Sequence, residues 1–262
     1  MSSQSDAAND DLKRNGNTPD LEPSSVCGPH ETVAPENPSR RSFFKMTVGG
    51  AVAGLVTAAG VEFAEPRPVL AQSALSPDEA LQQLMDGNKR FTAERLTSDA
   101  LDLAILKQNT IEKQEPFAAV LSCADSRVPV ELIFDQTIGH IFVTRLAGNM
   151  ATSEIIASLE YGALVLGTKV ILVMGHSNCG AVKATIQGKQ VPGQISALFP
   201  HIQPAVDQAG PNLEAATKAN AKIQAALLRQ SSTVISGLVK ENKLKVVAAY
   251  YDLATGVVSL VD

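Results

Sequence analysis

Cys123-Ala-Asp125-Ser-Arg127 ends one apolar run of the chain and His176-Ser-Asn-Cys179-Gly180 closes another, so two thiols and one imidazole stand at two strand-like ends. Thiolate sulfur and imidazole nitrogen are donors that zinc prefers. Three of them leave a fourth position for water, substrate or a competing carboxylate, which is the pattern of catalytic rather than structural zinc. His176 and Cys179, three residues apart across a strand-to-helix junction, form a short chelating pair, and Cys123 from a neighbouring strand end ties the metal to the fold. Asp125 beside Arg127 stays ionised by pairing and can orient a zinc-bound hydroxide by accepting its hydrogen. Released from Arg127, the same carboxylate could swing onto the metal and displace the water.

Blander readings compete with this one. Two cysteines in an exported chain could be a disulfide, but that leaves Asp125, Arg127 and His176 around them without a role. Asp125 and Arg127 alone would read as an ion pair at a helix end. His140 and His201 have no ligand neighbours in sequence and read as ordinary histidines. Arg145, Gly148 and Asn149 read as turn architecture rather than catalytic groups. Gly175 and Gly180 flank His176 without phosphate-loop spacing, so nucleotide binding is not indicated.

The elements that must position these residues are those of an α/β fold. From Phe117 onward short apolar runs alternate with helical stretches, as in a central, mostly parallel β-sheet flanked by helices. Strands are expected at Phe117–Ser122, Ile141–Leu146, Val170–Met174 and Val246–Tyr250. Helices are expected at Ser153–Leu166, Ala181–Gln187, Ile195–Asp207 and Asn212–Lys240, the last broken near Gln230–Ser232. Both motifs then fall past the C-terminal ends of the first and third strands, where open α/β sheets place ligands. Upstream, Ser76-Pro77-Asp78-Glu79 predicts a capped helix start. Its apolar face, Ala80, Leu81, Leu84 and Met85, must pack on the body or on another subunit.

The first 71 residues read differently. Residues 1–38 are polar and without apolar periodicity, as in disordered segments. Ser39-Arg40-Arg41-Ser42-Phe43-Phe44-Lys45 precedes an uncharged stretch, Met46–Val61, and then Val69-Leu70-Ala71, which together resemble a twin-arginine export signal. The uncharged stretch is shorter than the roughly 20 residues of a spanning helix and is diluted by glycine, so a cleaved signal is expected rather than an anchor. Cleavage near Ala71 would remove Cys27 and leave a catalytic domain, residues 72–262, without stable membrane insertion. Export places it in a periplasm or a thylakoid-type lumen.

Net charge is −5 for the 262 residues, and 45% are apolar, enough for a buried core. Six Lys and Arg and nine Asp and Glu lie in residues 1–71, so the remainder is near neutral. Nucleic acid is excluded as the main partner, because phosphate binding needs clustered positive charge.

Cys123-x-Asp125-x-Arg127 and His176-x-x-Cys179 resemble the C-x-D-x-R and H-x-x-C motifs of the β-class carbonic anhydrases. The likeness extends through Ala80–Phe91, Ile141–Met150, Ser158–Gly167, Lys169–Ala184 and Tyr251–Val257, and covers none of residues 1–71. It implies the β-carbonic anhydrase-like fold and reversible hydration of carbon dioxide to bicarbonate and a proton. One Zn2+ per subunit would be held by Cys123, His176 and Cys179, with Asp125 and Arg127 as the catalytic dyad and hydroxide supplied near neutral pH, carbonic anhydrase being the standard example of that effect. Gly180, at a helix start, would offer its backbone N–H to the anionic product. A homodimer or dimer of dimers is implied as well. Two alternatives remain: hydrolysis of carbonyl sulfide or carbon disulfide on the same zinc, and a non-catalytic zinc- or bicarbonate-binding scaffold.

Overall fold

Strand β1, Ala118–Ser122, is buried at every position, because it has a strand on each side and helices above and below. The computed structural model describes residues 73–98, 107 and 110–261, so the leader, its arginines and Cys27 lie outside the described residues. β1 pairs in parallel with β2, Ile141–Arg145, and with β3, Val170–His176. β3 in turn pairs in parallel with β4, Lys245–Tyr251, and β5, Val258–Leu260, adds an antiparallel edge. The order is β2-β1-β3-β4-β5. This is the expected mostly parallel α/β sheet.

Period-two alternation sorts the strands onto two cores. Ala118 and Val120 of β1 with Val170, Leu172 and Met174 of β3 face one cluster, whereas Ala119, Leu121, Ile171 and Val173 face the other. The first face is covered by α1, Pro77–Thr92, and the short α2, Val130–Ile133. The second is covered by α3, Ser153–Glu160, by α6, Leu213–Ser231, and by α7, Thr233–Lys240. α4, Gly180–Gln187, and α5, Phe199–Ala209, enclose a third cluster at the strands' C-terminal end.

α1 starts where the sequence places it. Ser76 Oγ accepts the Glu79 N–H at 3.3 Å and Glu79 Oε2 accepts the Ser76 N–H at 2.7 Å, a complete capping box. Its inner face packs on its own chain. A Cβ at Gly87 would lie 1.8 Å from the Phe134 carbonyl oxygen, so only glycine allows this approach. Asn88 then fastens the helix, donating to Ile133 O and Gly256 O at 3.2 and 2.9 Å and accepting the Val258 N–H at 2.9 Å.

Several boundaries differ from the sequence expectation, each for a tertiary reason. β3 runs two residues further, through Gly175 and His176, because β4 continues beside it to Tyr251. The helix expected over Ser153–Leu166 changes to a π-helical turn at Tyr161–Val165. The Ile195–Asp207 helix begins instead as a 3-10 segment, Gly193–Leu198. The break near residues 230–232 falls at Ser232, whose side chain caps α7 through the Ile235 N–H at 3.0 Å. α2 and β5 were not expected at all. Among the described residues no helix is long and apolar enough to cross a membrane.

Candidate metal centre

Ser122 of β1 is in register with Met174 of β3, so the two strands deliver their following residues to one place. Cys123 leaves β1 directly, His176 is the last residue of β3, and Cys179 is the N-cap of α4. Between the last two, Asn178 takes a left-handed conformation, φ 56°, which folds the chain back so that both side chains face inward. The two sulfurs and a ring nitrogen of His176 lie within 4.8 Å of one another. All three residues are buried, and both cysteines are free thiols rather than a disulfide.

Hydrogen bonding decides which nitrogen of His176 is available. Nδ1 lies 2.9 Å from the Ser177 carbonyl oxygen, which can only accept, so Nδ1 carries the proton and Nε2 keeps its lone pair. Nε2 is fully buried and has no hydrogen-bond partner. A buried acceptor left without a partner costs about 1–3 kcal/mol, and a cation between the two sulfurs removes that cost. The donor set therefore fits a zinc-like divalent ion.

One of the two thiols, Cys123, is already biased toward ionisation. The Cys179 thiol donates toward the Cys123 sulfur and, with support from the Gly148 and Asp125 backbone, holds Cys123 well below the ordinary thiol range despite burial. The same sharing, then burial, pushes Cys179 up. A divalent cation would replace the shared proton and ionise both. Apolar side chains, among them Met150, Val182, Ile202 and Ala216, surround the sulfurs.

Asp125 and Arg127 face the same place from the turn after β1. Arg127 Nε and Nη2 donate to the two Asp125 oxygens at 2.9 and 2.7 Å, and the Arg127 N–H adds a third bond at 2.9 Å. The guanidinium holds the Asp125 carboxyl well below the usual carboxylate range. Asp125 Oδ2 also lies 3.9 Å from His176 Nε2. Gly180 opens α4 beside Cys179, and a Cβ there would meet nothing within 4 Å.

Arg145 does more than the turn role read from sequence. It ends β2, and its guanidinium donates to Cys123 O at 2.9 Å and to Asp125 O, bracing the backbone that presents the sulfur and the carboxylate. Its signal was its position at a strand end, but that carries weight only once β2 is known to lie beside β1. Gly148 has the turn conformation read from sequence, φ 79°, and in addition its N–H donates to Cys123 Sγ at 3.4 Å. His140 and His201 are not part of the group that could hold a metal ion, which among the described residues is Cys123, His176 and Cys179.

A mostly parallel sheet presenting two thiols, an unpartnered imidazole nitrogen and an arginine-held carboxylate at its C-terminal edge is the architecture of an α/β enzyme with a group able to hold a metal ion. The family model for carbonic anhydrase matches residues 118–258. The carbonic anhydrase of Mycolicibacterium smegmatis is 32% identical over 196 residues, spanning 71% of this chain and 93% of that protein. Carbonic anhydrase 2 of Mycobacterium tuberculosis is 32% identical over 191 residues, with 69% and 91% covered. In fold the chain is similar to the β-carbonic anhydrase CafA of Aspergillus fumigatus, with a TM-score of 0.57 at 21% identity, covering 71% of this chain and 90% of that one. The β-carbonic anhydrase of Coccomyxa gives a TM-score of 0.55 at 24% identity, covering 69% and 85%. The chain belongs to the carbonic anhydrase family and has the fold of its β class.

Proposed function

We propose that this protein interconverts carbon dioxide and bicarbonate on one zinc ion per subunit, held by Cys123, His176 and Cys179. The observation that carries the reading is the buried, unpartnered His176 Nε2 facing two free thiols. Bound there, zinc supplies a nucleophile near neutral pH by acidifying water, an effect for which carbonic anhydrase is itself the standard example. Asp125, kept ionised by Arg127, would accept a hydrogen from the attacking oxygen and so aim its lone pair at the carbon. The apolar side chains around the sulfurs suit a small uncharged substrate. As the new C–O bond forms, negative charge would move onto the carbon dioxide oxygens, and the Gly180 N–H at the start of α4 would receive it. After bicarbonate leaves, water would take its place and a proton would pass to buffer to restore the nucleophile.

Assembly and export belong to the same reading. Two β-carbonic anhydrases of Sordaria macrospora are described as tetrameric, and one matches this fold at a TM-score of 0.54 and 19% identity, covering 70% and 96%. Tyr161, 48% exposed, meets Phe142 of the sheet's outer strand β2, and Leu164 in the same π-helical turn is 55% exposed, apolar surface that supports a homodimer or dimer of dimers. The Arg40-Arg41 leader supports delivery to a periplasm or thylakoid-type lumen.

Zinc stoichiometry and stopped-flow carbon dioxide hydration test the reading on one preparation. One zinc per chain with saturable hydration is expected, and Cys179→Ser loses metal and drops hydration to the uncatalysed background. Full zinc and full rate in Cys179→Ser overturn the ligand set. Turnover of carbonyl sulfide or carbon disulfide alone reassigns the substrate, and zinc without any turnover makes the protein a scaffold.

A further inference from the structure

The loop that carries Gly148 is gripped from behind by two amides on α6. Asn220 and Gln224 are 0% and 2% exposed, where an amide costs free energy unless its bonds are made. Asn220 Nδ2 donates to Gly148 O at 2.8 Å and to Asn149 Oδ1 at 3.5 Å. Gln224 Nε2 donates to Asn220 Oδ1 at 3.2 Å and to His201 O at 3.1 Å, while its Oε1 accepts the Ala151 N–H at 2.9 Å. The two amides thus hold both sides of the turn.

That turn uses left-handed backbone, which glycine and asparagine accept. Gly148 and Asn149 have φ of 79° and 44°, and buried Asn149 Nδ2 has no hydrogen-bond partner. A Cβ at residue 148 would come within 2.7 Å of Ile202 Cδ1, so the loop is also pressed close against α5. The reward for holding it lies on the far side, where the Gly148 N–H donates to Cys123 Sγ.

We propose that Asn220, steadied by Gln224, is a positioning residue that keeps the Gly148 N–H on the Cys123 sulfur and so pre-sets that sulfur for the metal. The inference rests on Cys123 being a metal ligand. An N–H donated to a thiolate stabilises its negative charge and fixes its direction before the cation arrives. Outer partners of this kind typically change metal affinity or activity by about 10- to 100-fold.

The test uses the purified enzyme with its metal exchanged. In the cadmium-113 form, scalar coupling is expected between the metal and the Gly148 amide proton through the sulfur. Asn220→Ala abolishes that coupling, speeds zinc transfer to a chelator about tenfold, and moves the sulfur-to-metal charge-transfer band of the cobalt(II) form to longer wavelength. Gln224→Met shifts all three the same way by less. Thr217→Val removes another buried hydrogen bond of α6, to Leu213 O at 2.7 Å, and leaves all three unchanged. Cadmium bound without coupling in the unaltered enzyme overturns the inference, whether or not Asn220→Ala folds. So do unchanged zinc release in both amide variants and equal acceleration in Thr217→Val. An unaltered chain that takes up no metal fails earlier, at the ligand assignment.

Discussion

Two aspartates, ten residues apart in sequence, each meet an arginine, and they have opposite surroundings. Asp135 is a closed account: its side chain is fully buried, and it accepts from Arg90 Nε at 2.5 Å, from the Thr97 N–H and hydroxyl at 2.9 and 2.7 Å, and from the Ser98 N–H at 2.9 Å. Asp125 has its charge-bearing bonds from Arg127 alone, whose side chain is 53% exposed, and it stands 3.9 Å from the unpartnered His176 Nε2. Both carboxyls lie well below the ordinary range. For Asp135 burial works upward, but Arg90, Ser98 and Thr97 more than offset it; for Asp125 the Arg127 hydrogen bonds lead. Identical ionisation therefore hides different work. Saturation marks the carboxylate that locks α1 to the core, and incompleteness leaves the other with accepting capacity for the role proposed for it.

Exchanging amide for carboxylate breaks the comparison most sharply at Asp125. Asp125→Asn retains zinc, since no ligand is touched, and loses about 10²- to 10⁴-fold in hydration rate as the positioned proton acceptor disappears. Metal analysis beside stopped-flow rates reads both quantities. An Asp125→Asn enzyme that hydrates at the original rate would place Asp125 with Asp135 among the structural carboxylates.

How much of this contrast the sequence discloses depends on how far apart the partners lie. Asp125 and Arg127 are two residues apart, and Cys123, His176 and Cys179 are rare types set at strand ends, so the site is legible from spacing and chemistry. The four principal strands are legible too, because each is an apolar run bounded by turn residues. Asp135 gave no such signal, since Arg90 and Thr97 lie 45 and 38 positions upstream. Arg145 and Asn220 act on the site only through the strand order and through α6, which no local pattern encodes. β5 has three residues and exists because β4 and the Asn88 side chain take up its backbone groups. The π-helical turn lies inside a stretch whose apolar spacing reads as continuous helix.

At Asp135 the expected loss is in stability rather than rate. Arg90→Met removes the charged donor and leaves the Thr97 and Ser98 bonds, so about 1.5–3 kcal/mol of unfolding free energy is lost, the range of a hydrogen bond to a charged group. Urea denaturation measures it, and the folded variant hydrates carbon dioxide at the unaltered turnover number. A rate loss without a stability loss would invert the roles assigned to the two pairs.

Acid separates the pairs by a smaller effect. A carboxyl whose folded pKa is depressed contributes stability that is fully present above its unfolded value of about 3.9 and is lost as pH falls toward the folded value. Both aspartates have this sign, so the zinc-free protein should lose stability below about pH 4. The amounts differ, because the exposed Arg127 guanidinium is screened by water and its pair adds little, whereas Asp135 is shielded from solvent. Asp135→Asn therefore flattens the fall in unfolding free energy between pH 4 and pH 3 by up to about 1 kcal/mol, and Asp125→Asn flattens it by less. Equal flattening in the two variants would mean that Asp125 is as firmly built into the folded state as Asp135, and that the freedom assigned to the site carboxylate is not there.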